Sequence, residues 1–322
     1  MPPANPTKPT IEPPNPPTRL SAATCTQAIA DLDRDGFAIV RGVFAVAEID
    51  ALDAAADALV AHAVGLGAGE HDIDGSVFVL GEPRADGRPN IHRIVWAAAA
   101  SPTIDALSQD PRLLQLASAA LGGAAFDQLI AQLHPKLPGD DVDFAWHQDA
   151  VHRRFGTPEW RDAGLRNGYL QCLIAIDANR EDNGPLRFIR GSHESGVIEH
   201  GPERTLAATQ VSTAQAVSAL LAPGDVAIFG PLTIHGSSPN ASNGPRRVLV
   251  SGFAALGANS RRYPGRGAGR RGTKYEGLTS GWDWYATFSA FAGVDPTDHR
   301  AALANLPPVC AYKRRDAMRR QT

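Results

Sequence analysis

His147, Asp149 and His235 are the residues whose types and spacing can hold a metal, and Arg246 follows eleven residues after the second histidine. In His147-Gln148-Asp149 the outer two side chains share a face if the segment is extended, because strand side chains repeat every two residues. A second imidazole, brought from a distant segment, completes a three-ligand face. Two neutral imidazoles and one carboxylate suit Fe(II), held from one side with the remaining positions open for a co-substrate and oxygen. Taken singly, each of the three reads better as a surface polar residue at a strand end.

The surrounding segments favour the metal set. Phe144-Ala145-Trp146 leads into it, and Tyr169 to Asp177 reads as a buried strand. Then come Asn183-Gly184-Pro185-Leu186-Arg187-Phe188-Ile189 and Gly191-Ser192-His193. Pro223-Gly224-Asp225-Val226-Ala227-Ile228-Phe229 follows, and after it His235-Gly236-Ser237-Ser238-Pro239-Asn240. In this order the motifs resemble the phytanoyl-CoA dioxygenase-like family of Fe(II)/2-oxoglutarate oxygenases over residues 30 to 256.

The resemblance implies Fe(II) at His147, Asp149 and His235, with 2-oxoglutarate and O2 as co-substrates. It implies that Arg246 anchors the far carboxylate of 2-oxoglutarate, that Ser237 helps hold it, and that Gln132 contacts it; a structural hydrogen bond is the other reading of Gln132. A guanidinium suits the anchoring role because its planar fork matches a carboxylate with two hydrogen bonds. Arg246 and Arg247 point to opposite faces of a strand, so only one can face the interior, and Arg247 is expected to face solvent. Asn183-Gly184 and Gly191-Ser192-His193 are expected to be fold-stabilising turns, with His193 a weaker competitor for the distal ligand position. Arg93 lies in a segment where the family places substrate- or co-substrate-facing residues. His152 and Trp160 belong to an insertion after the metal pair that can cover the site, and both join Arg93 as substrate candidates.

The activity expected is hydroxylation of an unactivated C–H bond in a small molecule. Halogenases of the family replace the carboxylate ligand with a small residue, whereas Asp149 is retained here. Desaturation, epimerisation and ring closure use the same ligands. The rivals from other classes are an oxygen-independent, metal-dependent jelly-roll enzyme (an isomerase or hydrolase) and a non-catalytic binding module. The first has no special need for Arg246.

The elements around these residues point to an α+β domain. Thr24 to Arg34, Val46 to Val64, Thr103 to Leu107 and Pro111 to Leu121 read as helices, with a strand at 36–40. From Phe126 onward the pattern turns to short strands, near 126–135, 143–149, 169–177, 186–190, 225–230 and 246–256. Helices followed by antiparallel strands suggest a double-stranded β-helix, the jelly-roll or cupin-like fold, with flanking N-terminal helices. Such a barrel gathers distant segments at its mouth, where residues 147, 149 and 235 would meet.

Residues 1–20 hold eight prolines without an apolar pattern and read as a disordered tail, leaving 21–322 as one domain. The 43% hydrophobic content of the 322-residue chain is enough for a sizeable core. A net charge of -3 gives no general attraction to nucleic acid or anionic membranes. The Arg/Gly-rich segment 261–274 is the local exception and reads as a solvated loop. Cys25, Cys172 and Cys310 are too scattered for a disulfide framework or a zinc site. The absence of a leader or long apolar run makes a cytoplasmic location the expectation, with a small-molecule substrate as the partner.

Overall fold

A computed structural model describes residues 19–123, 126–162 and 165–259. The Pro-rich tail up to residue 18, the 261–274 segment and the rest of the expected domain beyond 259 lie outside the described residues. The chain begins with α1 (Ala22–Asp35), β1 (Phe37–Val40) and α2 (Val46–Val64). Three strands follow, β2 (Gly69–Ile73), β3 (Ser76–Pro83) and β4 (Pro89–Val95), then α3 (Ala97–Ala100), α4 (Pro102–Ser108) and α5 (Pro111–Leu121). The second half comprises β5 (Phe126–Lys136), β6 (Phe144–His147), α6 (Asp149–His152), β7 (Tyr169–Ala175), β8 (Arg187–Ile189), β9 (Ala216–Ser218), β10 (Val226–Phe229), β11 (His235–Ser237) and β12 (Arg246–Ala255).

The helices form where spacing and caps direct them. Ser21 caps α1 by accepting from the Thr24 N–H, and Ser101 and Asp110 cap α4 and α5, each with proline in the first turn. Ile49, Leu52, Ala56 and Leu59 make the buried stripe of α2, as their spacing predicts.

The strands form an eight-stranded sheet in the order β1-β10-β7-β12-β5-β4-β3-β2 and a four-stranded sheet in the order β6-β11-β8-β9. This is the expected double-stranded β-helix, and the named pairings are antiparallel. Alternation gives the large sheet two faces. Leu249 and Phe253 of β12 pack with the helices in the main core, while Val248 and Val250 turn inward with Phe188, Phe229 and Leu173. Arg246 shares that inward face and lines the cavity.

Two expectations need correction. Helices are not simply followed by strands, because β2, β3 and β4 intervene and extend the large sheet. The hairpin between β2 and β3 pairs Ile73 with Ser76 across Asp74-Gly75, both with positive φ (51° and 87°). Asp-Gly is a strong tight-hairpin signal, and it stands in the sequence. The second correction concerns Arg247, which is buried rather than solvent-facing. Its Nε and Nη2 donate to the two Asp177 carboxylate oxygens at 2.9 and 2.7 Å, and it also pairs with Asp53 and Asp57 of α2. The pairing fastens the start of β12 to the helical layer and so fixes which way Arg246 points.

Candidate active site

β6 ends at His147, earlier than the expected strand, and Asp149 opens the short helix α6. Gln148 between them keeps extended angles (φ -113°, ψ 137°), so the two outer side chains still reach one side. The Gln148 side chain goes the other way and is fully buried. Its Nε2 donates to the carbonyls of Gly196 (2.8 Å) and Leu232 (2.6 Å), and its Oε1 accepts from the Ile198 N–H at 2.9 Å. The Gln148 backbone N–H donates to His200 Nε2. The middle position of His-x-Asp is therefore a bolt tying the 196–200 segment and Leu232 to the back of the site, a role the motif alone does not announce.

His235 on β11 is the cross-strand partner of His147, with ring centroids 4.2 Å apart. Ligand atoms of His147, Asp149 and His235 all lie within 4.8 Å of one another. His147 Nδ1–H donates to the Ala145 carbonyl at 2.7 Å, and His235 Nδ1–H donates to the Thr233 carbonyl at 2.9 Å. Each ring is thus oriented by the carbonyl two residues before it, leaving Nε2 as the lone-pair nitrogen facing the gap. Asp149 Oδ2 lies 3.6 Å from His235 Nε2 and is buried without a hydrogen-bond partner. A buried carboxylate oxygen without a donor is costly, and a cation relieves that cost.

The electrostatics agree with a metal-ready state. Burial, with His235 adding to it, pushes His147 down to about 4, so its imidazole is neutral. Burial alone would raise the Asp149 carboxyl; the neighbouring His235, His147 and Arg153 side chains outweigh it and hold the group below its ordinary value.

Arg246 is buried, and its Nη2 donates to the Gly184 carbonyl at 2.7 Å while its Nε has no partner. Burial lowers its pKa to about 10, which still leaves it charged. Asn183-Gly184 is the expected turn, and it also supplies the acceptor that orients Arg246. A Cβ on Gly184, whose φ is 68°, would collide with the carbonyl oxygens of Ser238 and Pro239. Ser237 lines the cavity, and its Oγ accepts from Lys136 Nζ at 2.7 Å. Gln132 also lines it, with Oε1 accepting from His134 Nε2 at 3.1 Å. Burial and nearby cations push His134 down to about 3, so it is a neutral structural donor.

These residues share one cavity of about 620 Å³. His147, Asp149, His235, Arg246, Ser237 and Gln132 all line it. Of the substrate candidates, Arg93 and His152 line it too. Trp160 does not. It is stacked on Phe155 at 4.3 Å and packs edge-on to Tyr169, behind the wall. His193 is also absent from the lining; its Nε2 meets the Asp33 carbonyl, at the corner expected for Gly-Ser-His. Sequence reasoning passed over Gln148, His200 and Lys136 because their partners are distant in the chain. Arg153, next to His152 in the same insertion, brings its charge near Asp149.

The phytanoyl-CoA dioxygenase family model matches residues 32–248, which contain all of these positions. The chain belongs to the phytanoyl-CoA dioxygenase family. The ectoine dioxygenase of Bordetella bronchiseptica is 25% identical over 301 residues, covering 87% of this chain and 88% of that protein. Among solved structures of the family fold, AviO1 from Streptomyces viridochromogenes is 26% identical, covers 72% of this chain and 96% of its own, and has a TM-score of 0.57. EctD from S. alaskensis, solved with 2-oxoglutarate and 5-hydroxyectoine, is 25% identical over 76% of this chain and 79% of its own, with a TM-score of 0.57. Membership in this family displaces the oxygen-independent jelly-roll rival. No helix of the described residues is long and apolar enough to cross a membrane.

Proposed function

We propose that this protein is an Fe(II)- and 2-oxoglutarate-dependent dioxygenase that hydroxylates an unactivated C–H bond of a small molecule. One observation carries the reading. A single cavity presents an unsatisfied buried carboxylate oxygen on Asp149 and an unsatisfied buried guanidinium nitrogen on Arg246. The first calls for a cation and the second for an anion, which are the two needs met by iron with a chelating 2-oxo acid.

His147 Nε2, His235 Nε2 and an Asp149 oxygen would hold the metal, and Arg246 with Ser237 would hold the far carboxylate. Iron with 2-oxoglutarate and oxygen supplies the oxidation when bound. The protein's part is to orient and to exclude water: Leu173, Phe229, Val248 and Val250 give the cavity apolar walls. Arg93 lines the same cavity, its side chain makes no ion pair or hydrogen bond among the described residues, and burial lowers its pKa. A substrate bearing an anionic or strongly accepting group would satisfy it. The substrate need not be ectoine, since identity to the ectoine dioxygenases is about a quarter.

Anaerobic titration of the apoprotein with Fe(II) and then 2-oxoglutarate is expected to give the weak visible charge-transfer band of the chelate. A panel of small molecules assayed for stimulated succinate release then identifies the substrate. Failure to develop the band at saturating 2-oxoglutarate would reject the reading.

A further inference from the structure

Lys136 has no role in the site as described so far, yet it is among the most buried polar residues of the chain, at 1% exposure. It ends β5, and its Nζ meets three acceptors: the Ser237 carbonyl at 3.3 Å, Ser237 Oγ at 2.7 Å and the Ser238 carbonyl at 2.5 Å. When the amine is protonated, those contacts use all three ammonium hydrogens. Across the sheet its strand partner is Arg246, so two buried basic groups stand side by side. Neither forms an ion pair among the described residues; Asp143 and Asp177 act on them only from a distance.

We infer that Lys136 is a positioning residue of the co-substrate site, turning the Ser237 hydroxyl toward the far carboxylate of a 2-oxo dicarboxylic acid and adding a second positive charge beside Arg246. This rests on the proposed reading of the cavity. A serine oxygen that accepts from an ammonium cannot direct its own hydrogen at that ammonium. Once Lys136 is protonated, as an anion beside it requires, the Ser237 O–H has no acceptor among the described residues, and Ser237 borders the cavity. The hydrogen therefore points into the space where the carboxylate of the co-substrate is to lie. Two adjacent buried charges of one sign are unfavourable, so the amine takes up its proton only as the far carboxylate arrives beside both groups. The lysine thus makes the pocket select for a second carboxylate as well as for a 2-oxo acid.

A lysine that merely tied β5 to β11 would behave differently. Its charge would be dispensable, because a buried ion can often be replaced by an apolar side chain of similar volume without loss of stability.

The test compares wild type, Lys136→Met and Ser237→Ala in the full chain, by anaerobic calorimetry on the Fe(II) protein. Two ligands are titrated: 2-oxoglutarate, and 2-oxopentanoate, which has the same chain length but lacks the far carboxylate. Lys136→Met is expected to melt within a few degrees of wild type. It should lose about ten- to hundred-fold in affinity for 2-oxoglutarate, the range for hydrogen bonds to charged groups, and keep its affinity for 2-oxopentanoate. Ser237→Ala should lose less, in the same selective way, and adding it to Lys136→Met should cost little more, because the lysine acts through the serine. Unchanged affinity in Lys136→Met, or an equal loss for both acids, overturns the inference while leaving the reading of the cavity intact. Absence of 2-oxoglutarate binding by wild type overturns both. Should Lys136→Met not fold, Lys136→Gln is titrated in its place: a loss confined to 2-oxoglutarate supports the assignment, and unchanged affinity overturns it.

Discussion

The backbone N–H of Gln148 donates to His200 Nε2 at 3.0 Å, so a histidine outside the ligand set holds the peptide between two members of it. His200 is itself oriented, its Nδ1 donating to the Ile198 carbonyl at 2.7 Å. Ile198 in turn donates to the Gln148 side chain, closing a ring of hydrogen bonds behind the site.

That ring predicts the behaviour of Gln148→Ala. The Gly196 and Leu232 carbonyls and the Ile198 N–H lose their partner, at about 1–3 kcal/mol for each group left buried and unsatisfied. The melting temperature should fall, and iron affinity should drop by about ten- to hundred-fold, as for other residues that orient metal ligands. Iron titration alongside a thermal melt checks both. Wild-type iron affinity in the variant would show that the ring does not position the ligands.

Removing a ligand should have the opposite effect on the metal-free protein. Asp149 carries a buried oxygen without a hydrogen bond, so Asp149→Ala should leave the apoprotein as stable as wild type or more so. It should abolish iron binding and turnover, and His147→Ala and His235→Ala should do the same. In wild type, saturating Fe(II) should raise the melting temperature, by an amount equivalent to about 2.7 kcal/mol at a hundred times the dissociation constant, and a chelator should reverse it. An Asp149→Ala protein with full turnover would sink the proposed metal site.

The ligand set was legible because its signal is local: His147 and Asp149 are two residues apart, and His235 and Arg246 sit at a spacing the family shares. The helices were legible from caps and apolar spacing. The hairpin of β2 and β3 was passed over because Gly-Glu-His-Asp-Ile of β2 is largely exposed and lacks an apolar face to betray it. Lys136 and His200 were not legible for a different reason. Their chemistry arises from contacts across 101 and 52 residues, and no short-range pattern encodes which carbonyl or hydroxyl will arrive beside a given amine or imidazole. Arg247 failed in the same way, since alternation gave its face correctly but could not reveal that the other face is covered by α2.

That correction splits the effects of the neighbouring arginines. Arg246→Ala should weaken 2-oxoglutarate binding by about 2–5 kcal/mol, the cost of leaving one partner of a desolvated charge pair alone. This corresponds to a loss of roughly 30-fold to several thousand-fold in affinity. Arg247→Ala should instead lower the melting point, because Asp177 loses its bidentate partner and α2 loses its tie to β12. Breaking such a pair typically costs about 3–5 kcal/mol. The folded fraction of Arg247→Ala should bind 2-oxoglutarate nearly as wild type does. A larger binding defect in Arg247→Ala than in Arg246→Ala would mean that the roles of the two faces are reversed.

The pH dependence of the co-substrate-free protein should carry the mark of Lys136. Burial, reinforced by the charge of Arg246 and opposed by Asp143, pushes its amine down to about 6 from an ordinary value of 10.5. Ser237 faces it from β11, Ser238 from the residue after that strand and Arg246 from β12, while the Phe144 ring lies 5.4 Å from Nζ and His134 is on its own strand. Between about 6 and 10.5 the unfolded chain holds a proton that the native state sheds, so unfolding free energy rises with pH across that window. The slope for one group cannot exceed about 1.4 kcal/mol per pH unit. Below about 6 both states are protonated and this contribution is flat. Lys136→Met lacks the group, so the difference between wild-type and variant stability should grow in favour of wild type as pH rises through the window. Denaturant melts at a series of pH values measure it directly. Bound 2-oxoglutarate should reverse the preference, because a dianion favours the ammonium. Its binding should therefore take up a proton in wild type and none in Lys136→Met, as calorimetry in two buffers of different ionisation enthalpy would reveal. Equal proton uptake in the two proteins would assign the titration to another group.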